Sequence, residues 1–272
     1  MDSKEIVNSV IKRLEIMLDN KDRISVADVE KISGYSKRYI QKIFKDITGI
    51  NISTYIKKRR LTQAAILLKL TKKKIYHIAM DLNFATQQSF TRAFLREFKV
   101  PPLTYRNELG FDCSRLFLGS AINLHINNPV KKIIKPLKLT AKEFHYRDAL
   151  LGSSYSRGKR IRLEETMSIL SMKNEAVIVT TLYPNSSLEF EISLVAMIGY
   201  IDTINYNYET SERLYWEFKY DGIWEEYILF GRFFLFFTEV KFEPLIMECI
   251  QLNGKMGNGQ QLYHINIYLP IP

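Results

Sequence analysis

Along the first hundred residues, apolar side chains recur at helical spacing. Ile6, Val10, Leu14 and Met17 fall four, four and three apart, one face of a helix over 4–19. Ser25 and Asp28 have the form of a capping box, which predicts a short helix over 26–33. Gly34-Tyr35 breaks the pattern. Ser36 is placed to cap a helix over 37–48 with Ile40, Ile43, Phe44 and Ile47 inward, and Gly49 ends it. Ser53 is placed to cap a long helix through Leu70, with Ile56, Ala64 and Leu67 buried and a length of about 25 Å. A short helix follows at 74–82 and another at 87–98, with Phe90, Phe94 and Phe98 inward, before Pro101-Pro102 stops it.

This region repeats itself. Each copy is a short helix, a turn holding an aromatic residue, and a second amphipathic helix. A shift of 50 superposes Ile40 on Phe90, Phe44 on Phe94, Gln41 on Thr91 and Lys42 on Arg92, with one extra residue in the second turn. From 111 onward the pattern changes. Segments 176–183, 188–199, 213–220, 242–250 and 261–269 are short, β-branched and aromatic, as strands require. Helical patterns cover 162–173 and 222–237, and Gly254 to Gly259 reads as a turn between the last two strands. The fold class expected is therefore multidomain: an all-α domain over 1–110, a linker over 111–136, and an α+β domain over 137–272.

Charge sharpens this division. Residues 1–110 carry 22 Lys and Arg against 11 Asp and Glu, whereas 111–272 carry 17 against 18. The whole basic excess lies in the helical region, which points to a polyanion as its partner. A helix can read bases from the major groove if its outer face carries short polar groups and long cations. The 37–48 helix presents Lys37, Arg38, Gln41, Lys42 and Lys45, and the 87–98 helix presents Gln87, Gln88, Thr91, Arg92 and Arg96. Arg38, Gln41, Lys42, Gln87, Gln88, Thr91 and Arg92 are the candidate base readers. Lys37, Lys45, Lys57 and Arg96 suit phosphate, which fixes register without reading sequence. The expected partner is double-stranded DNA, with the two helices about one turn apart.

The same stretches resemble the AraC/XylS family, in its MarA/SoxS/Rob branch. The resemblance covers 4–107 and rests on Gly34-Tyr35-Ser36-Lys37, on the run from Gln41 to Gly49, and on Tyr55-Ile56 and Arg59-Arg60-Leu61. It also rests on the run from Gln87 to Phe94, on Pro102 and on Tyr105-Arg106. It implies a double helix-turn-helix domain of a bacterial transcription regulator, an activator that binds promoter DNA and recruits RNA polymerase. Two positions depart from the branch: Arg38 stands where Trp is common, and Lys42 where Arg is common, and a lysine offers only a point charge.

Residues 137–272 resemble the GyrI-like effector-binding domains, so that the domain order is that of Rob-type members. The matching stretches are Gly152-Ser153-Ser154-Tyr155, Phe218 to Gly222, and Ile267 to Pro272. That resemblance implies two βαββ halves and a cleft for a small apolar, sometimes cationic, ligand. Trp216, Tyr220, Trp224, Tyr227, Tyr263 and Tyr268 are the candidate lining, with Glu225 or Glu226 to neutralise a cation. Ring for ring, a plain core is the commoner use of such side chains. Asn266 replaces an acidic residue common in the family, which argues for a neutral ligand or for a domain kept for protein contacts.

Catalytic and cofactor signals are missing. His77, His125, His145 and His264 lack metal-ligand spacing, Cys113 and Cys249 form no CxxC, and no P-loop or GxSxG occurs. An enzyme, a hydrolase in particular, is the expectation these residues least support. No run of about 18 apolar residues crosses a membrane, and the polar N-terminus lacks a secretory signal, so a cytoplasmic protein with reduced thiols is expected. The expectation is a DNA-binding activator modulated by its C-terminal domain. The alternative is a ligand-sequestering or protein-interaction module anchored on DNA.

Overall fold

The computed structural model describes residues 2–19, 22–117, 128–149, 157–184, 191–224, 227, 240–257 and 259–272. They divide into two compact units: 2–107 with 115–117, and 108–114 with 128–272. The 152–155 motif, residues 188–190, and all of the expected 222–237 helix except 222–224 and 227 lie outside the described residues.

The first unit is helical: α1 (Ser3–Asp19), α2 (Val26–Ser33), α3 (Lys37–Thr48), α4 (Ile52–Leu70), α5 (Ile75–Asp81), α6 (Gln87–Phe98) and α7 (Pro102–Asn107). The α1 stripe is broader than its spacing suggested, because Val7, Ile11 and Leu18 join Ile6, Val10 and Leu14 while Met17 is only half-buried. It packs with Val29, Ile40, Phe44, Ile52 and Tyr55 in one core. A chain of rings runs through the second half of the unit, from Phe84 to Phe90, Phe94, Phe98 and Tyr105, at centroid distances of 4.4–5.6 Å. Between the two clusters α4 is buried on nearly every side from Leu61 to Leu68.

Helix ends follow local chemistry, with three corrections. The Ser25–Asp28 capping box is present, and Gly34 and Gly49 end α2 and α3 in the left-handed conformation. The α4 cap is Asn51 rather than Ser53: its side chain accepts the Thr54 N–H at 2.8 Å. Ser36 makes no side-chain cap bond, and instead the Lys37 N–H donates to the Glu30 carboxylate at 3.2 Å. Ile47 is 37% exposed, and the half-buried residue of that last turn is Thr48, whose hydroxyl donates to the Phe44 carbonyl.

The second unit holds β1 (Phe111–Asp112), β2 (Val130–Ile134), β3 (Lys138–Ala149), α8 (Arg157–Leu170), β4 (Glu175–Tyr183), β5 (Glu191–Ile201), β6 (Tyr208–Glu209), β7 (Arg213–Gly222), β8 (Lys241–Phe242), β9 (Leu245–Lys255) and β10 (Gln261–Pro270). Eight strands form one antiparallel sheet in the order β2-β7-β10-β9-β4-β5-β3-β6, and β1 pairs with β8. The order contains a repeat. In β3-β5-β4 the first strand is outermost, the third central and the second innermost, and β7-β10-β9 has the same arrangement. The innermost strands, β4 and β9, pair with Ile178 opposite Glu248. Residues 111–136, expected as linker, contain β1 and β2, and β3 was not foreseen as a strand. Within the first unit, Phe117 exchanges hydrogen bonds with the Thr62 hydroxyl at 2.8 and 3.1 Å, and its carbonyl accepts from Arg59.

Candidate nucleic-acid interface

Helices α3 and α6 are both 12 residues long and begin 50 positions apart. Their burial agrees position by position through the first ten residues: Ile40, Ile43 and Phe44 are buried where Phe90, Ala93 and Phe94 are, and Gln41 is half-buried where Thr91 is. The repeat read from sequence is thus a repeat of surfaces. Each helix is entered through a left-handed residue, Gly34 before α3 and Asn83 before α6. The α6 start carries a full capping box, with the Thr86 hydroxyl accepting the Ser89 N–H at 3.0 Å. Tyr35 packs on Tyr39 at 5.3 Å, as Phe84 packs on Phe90 at 5.2 Å.

All eleven residues singled out for DNA lie at the surface of this unit. Lys37, Arg38, Lys42 and Lys45 are exposed on α3, as are Gln87, Gln88, Arg92 and Arg96 on α6, and Lys57 on α4. Gln41 and Thr91 are half-buried at the edges of the two faces. Gln87, Gln88, Thr91 and Arg92 line one open concavity of about 510 Å3. Among the described residues no carboxylate lies within ion-pair distance of these cations, although Lys58 pairs with Glu97 at 3.0 Å nearby. Cations left to solvent keep their full value for phosphate. Interior cations are held by acceptors instead: Arg59 donates to Glu15 at 2.5–3.0 Å, beside the Tyr55 hydroxyl, and Arg106 to the Leu68 and Lys73 carbonyls. Tyr39 and Leu95 are exposed large side chains on these helices that the sequence reading assigned to neither face. Carrying the shift of 50 past the cations would have marked Leu95, which falls where α3 has Lys45.

In the second unit, Tyr220, Trp224, Tyr227 and Tyr263 come together, with centroids 5.2–5.9 Å apart. They are buried on the sheet face that α8 covers, where Arg162 of α8 meets Glu248 at 2.6 Å and the Tyr227 hydroxyl donates to the same carboxylate. Burial disfavours the Arg162 charge, but the Glu248 carboxylate outweighs it and holds the guanidinium pKa above its ordinary value. Trp216 lies farther along β7, its ring under Lys131 at 5.0 Å. Tyr268 points to the opposite face by strand alternation, where Lys132 lies 2.7 Å from Glu217. The six candidate rings therefore do not line one cavity, and Glu225 and Glu226 lie outside the described residues. A cavity of about 330 Å3 opens on the Tyr268 face, over Val179, Tyr215, Leu245 and Met247, with Arg213 and Glu243 paired at its rim.

Two recognition helices on one basic helical unit define a helix-turn-helix DNA-binding protein. The helix-turn-helix domain family matches residues 30–108. The regulatory protein SoxS of Salmonella typhimurium is 40% identical over 109 residues, which are 40% of this chain and all of SoxS. The TetD protein of transposon Tn10 from Escherichia coli is 44% identical over 107 residues, 39% of this chain and 78% of TetD. The transcriptional regulator Rob of Salmonella typhimurium is 42% identical over 106 residues, but that stretch is only 36% of Rob. The chain belongs to the AraC/XylS family of transcription regulators, in the MarA/SoxS/Rob branch.

Proposed function

We propose that the protein activates transcription from specific promoters, with α3 and α6 entering adjacent major grooves of one duplex. The observation that carries this reading is the matched burial of α3 and α6, each with its exposed cations free of carboxylate partners. Arg38, Gln41 and Lys42 on α3 face base edges, as do Gln87, Gln88, Thr91 and Arg92 on α6, while Lys37, Lys45, Lys57 and Arg96 take phosphates. The 19 residues of α4 extend about 28 Å and separate the two readers by roughly one DNA turn. RNA polymerase is the partner at the promoter. The sheet unit, read as GyrI-like, modulates the outcome through a small, largely apolar ligand. The cavity over Val179, Leu245 and Met247 supports that part, since its rim cation is already paired with Glu243.

Footprinting the full chain on a duplex with a SoxS-type site tests this. Protection of two patches about 10 base pairs apart, with stimulated transcription from a promoter carrying the site, is the expected result. A single patch refutes two-groove docking, and protection without stimulation leaves an anchored sequestering or interaction module in its place.

A further inference from the structure

The superposition of α3 on α6 equates residues whose chemistry is unequal. The outermost stripe of each helix, at spacings of four and three, is Arg38, Lys42 and Lys45 on α3, and Gln88, Arg92 and Leu95 on α6. One stripe is entirely cationic. The other holds an amide, one guanidinium and an apolar side chain that is 43% exposed. The helices as a whole differ likewise, with four cations and one acid on α3 against two cations and one acid on α6. Cations attract every phosphate equally, and a lysine ammonium is a point charge with no fixed fork. An amide pairs with adenine, a guanidinium with guanine, and an apolar side chain packs on the thymine methyl group.

We infer that the two helix-turn-helix units divide the work: α3 anchors the duplex, and α6 carries most of the sequence discrimination, with Leu95 as a further specificity-determining residue that takes a thymine methyl group. Two facts support Leu95 in that role. It lies seven residues from Gln88 and three from Arg92, so it shares their stripe. Its equivalent on α3 is Lys45, so the same surface position is a cation in one unit and apolar in the other. The starts of the two helices are held by different chemistry, α6 by the Thr86 capping box and α3 by the Glu30 carboxylate on the Lys37 N–H.

The inference rests on the DNA-binding reading above, and the experiment separates their failures. Duplexes would be selected from a randomised pool with the full chain and again with Arg92→Ala. Bases lost with Arg92→Ala mark the half-site under α6. Affinity for the selected and a scrambled duplex is then followed across a salt series. Lys37→Gln and Lys45→Gln are expected to lower the salt slope by about 0.9 each and to weaken both duplexes alike. Gln88→Ala and Leu95→Ala should keep the slope and lose about tenfold of the preference. Replacing thymine by deoxyuridine in the α6 half-site should weaken wild type and leave Leu95→Ala and Leu95→Lys unaffected, with Leu95→Lys gaining slope. A pool that yields no preferred sequence overturns sequence-specific binding itself. A preferred sequence whose discrimination collapses in the α3 variants, or a deoxyuridine penalty that persists without Leu95, overturns the division of labour alone.

Discussion

The two units treat charge in opposite ways. The sheet unit engages several of its cations with carboxylates: Arg162 with Glu248 in the interior, Lys132 with Glu217, and Arg213 with Glu243 at the cavity rim. The helical unit pairs its inner cations, as Arg59 with Glu15, but leaves the outer faces of α3 and α6 to solvent. A paired charge fixes a fold, and a solvated cation is available to a polyanion. The helical unit therefore carries its candidate binding surface on the outside of its helices. The strongest way to break the comparison is Arg162→Ala. It strands the Glu248 carboxylate, which is almost wholly buried, and is expected to cost about 3–5 kcal/mol. Both tryptophans of the chain, Trp216 and Trp224, lie in the sheet unit, so their fluorescence during urea unfolding reports that unit alone. An unchanged tryptophan transition would mean that the pair contributes no net stability. DNA affinity should be retained.

A smaller loss is expected inside the helical unit. Glu15→Ala removes the acceptor shared by Arg59 and Tyr55 and strips a half-buried guanidinium of its carboxylate. About 1–3 kcal/mol should be lost, read as helical circular dichroism against temperature with the tryptophan transition unmoved. Coincident movement of both signals would show that the units do not unfold independently.

Sequence made the outside of the molecule legible and the inside much less so. Helical period and charge together set out α3 and α6, because on a helix the apolar stripe names the exposed face by exclusion. The Phe90–Phe94–Phe98 ladder and the capping box at Ser25 were visible for the same local reasons. Strand alternation separates two faces without saying which one a helix covers. Tyr263 and Tyr268 therefore looked like one lining, although they stand on opposite sides of β10. β3 was missed because its outward positions, Lys142, Glu143, His145 and Arg147, interrupt the apolar run, and its inward residues include a small alanine. The Arg162–Glu248 pair was invisible because 86 residues separate its members.

Caps give a finer test of where local signals suffice. Asn51→Ala should cost about 1 kcal/mol and Ser53→Ala less than about 0.5, since only Asn51 holds the Thr54 N–H. Thr86→Ala should likewise cost about 1 kcal/mol, and Ser36→Ala very little, in thermal unfolding followed by circular dichroism. Equal effects at Ser36 and Thr86 would remove the asymmetry between the starts of the two recognition helices.

The smallest effect expected is a pH dependence seated at the start of α2. Hydrogen bonds from the Ser25 hydroxyl and the Ser25 backbone N–H, at 2.6 and 2.8 Å, hold the Asp28 carboxyl below the usual carboxylate range. A carboxyl whose folded pKa is depressed stabilises the native state above its unfolded pKa. That stabilisation is lost as pH falls from the unfolded value, near 3.8, through the lower folded one. Asp28 lies at the surface and is only partly covered, so the effect is a slope and not a collapse. The melting temperatures of wild type and Asp28→Asn should therefore differ at pH 6 and converge below pH 3. A difference that stays constant with pH would assign the box to neutral hydrogen bonding, with the carboxylate charge irrelevant. Added salt distinguishes the remaining contribution, because attraction between Asp28 and the positive end of α2 is screened, whereas the hydrogen bonds to Ser25 are not.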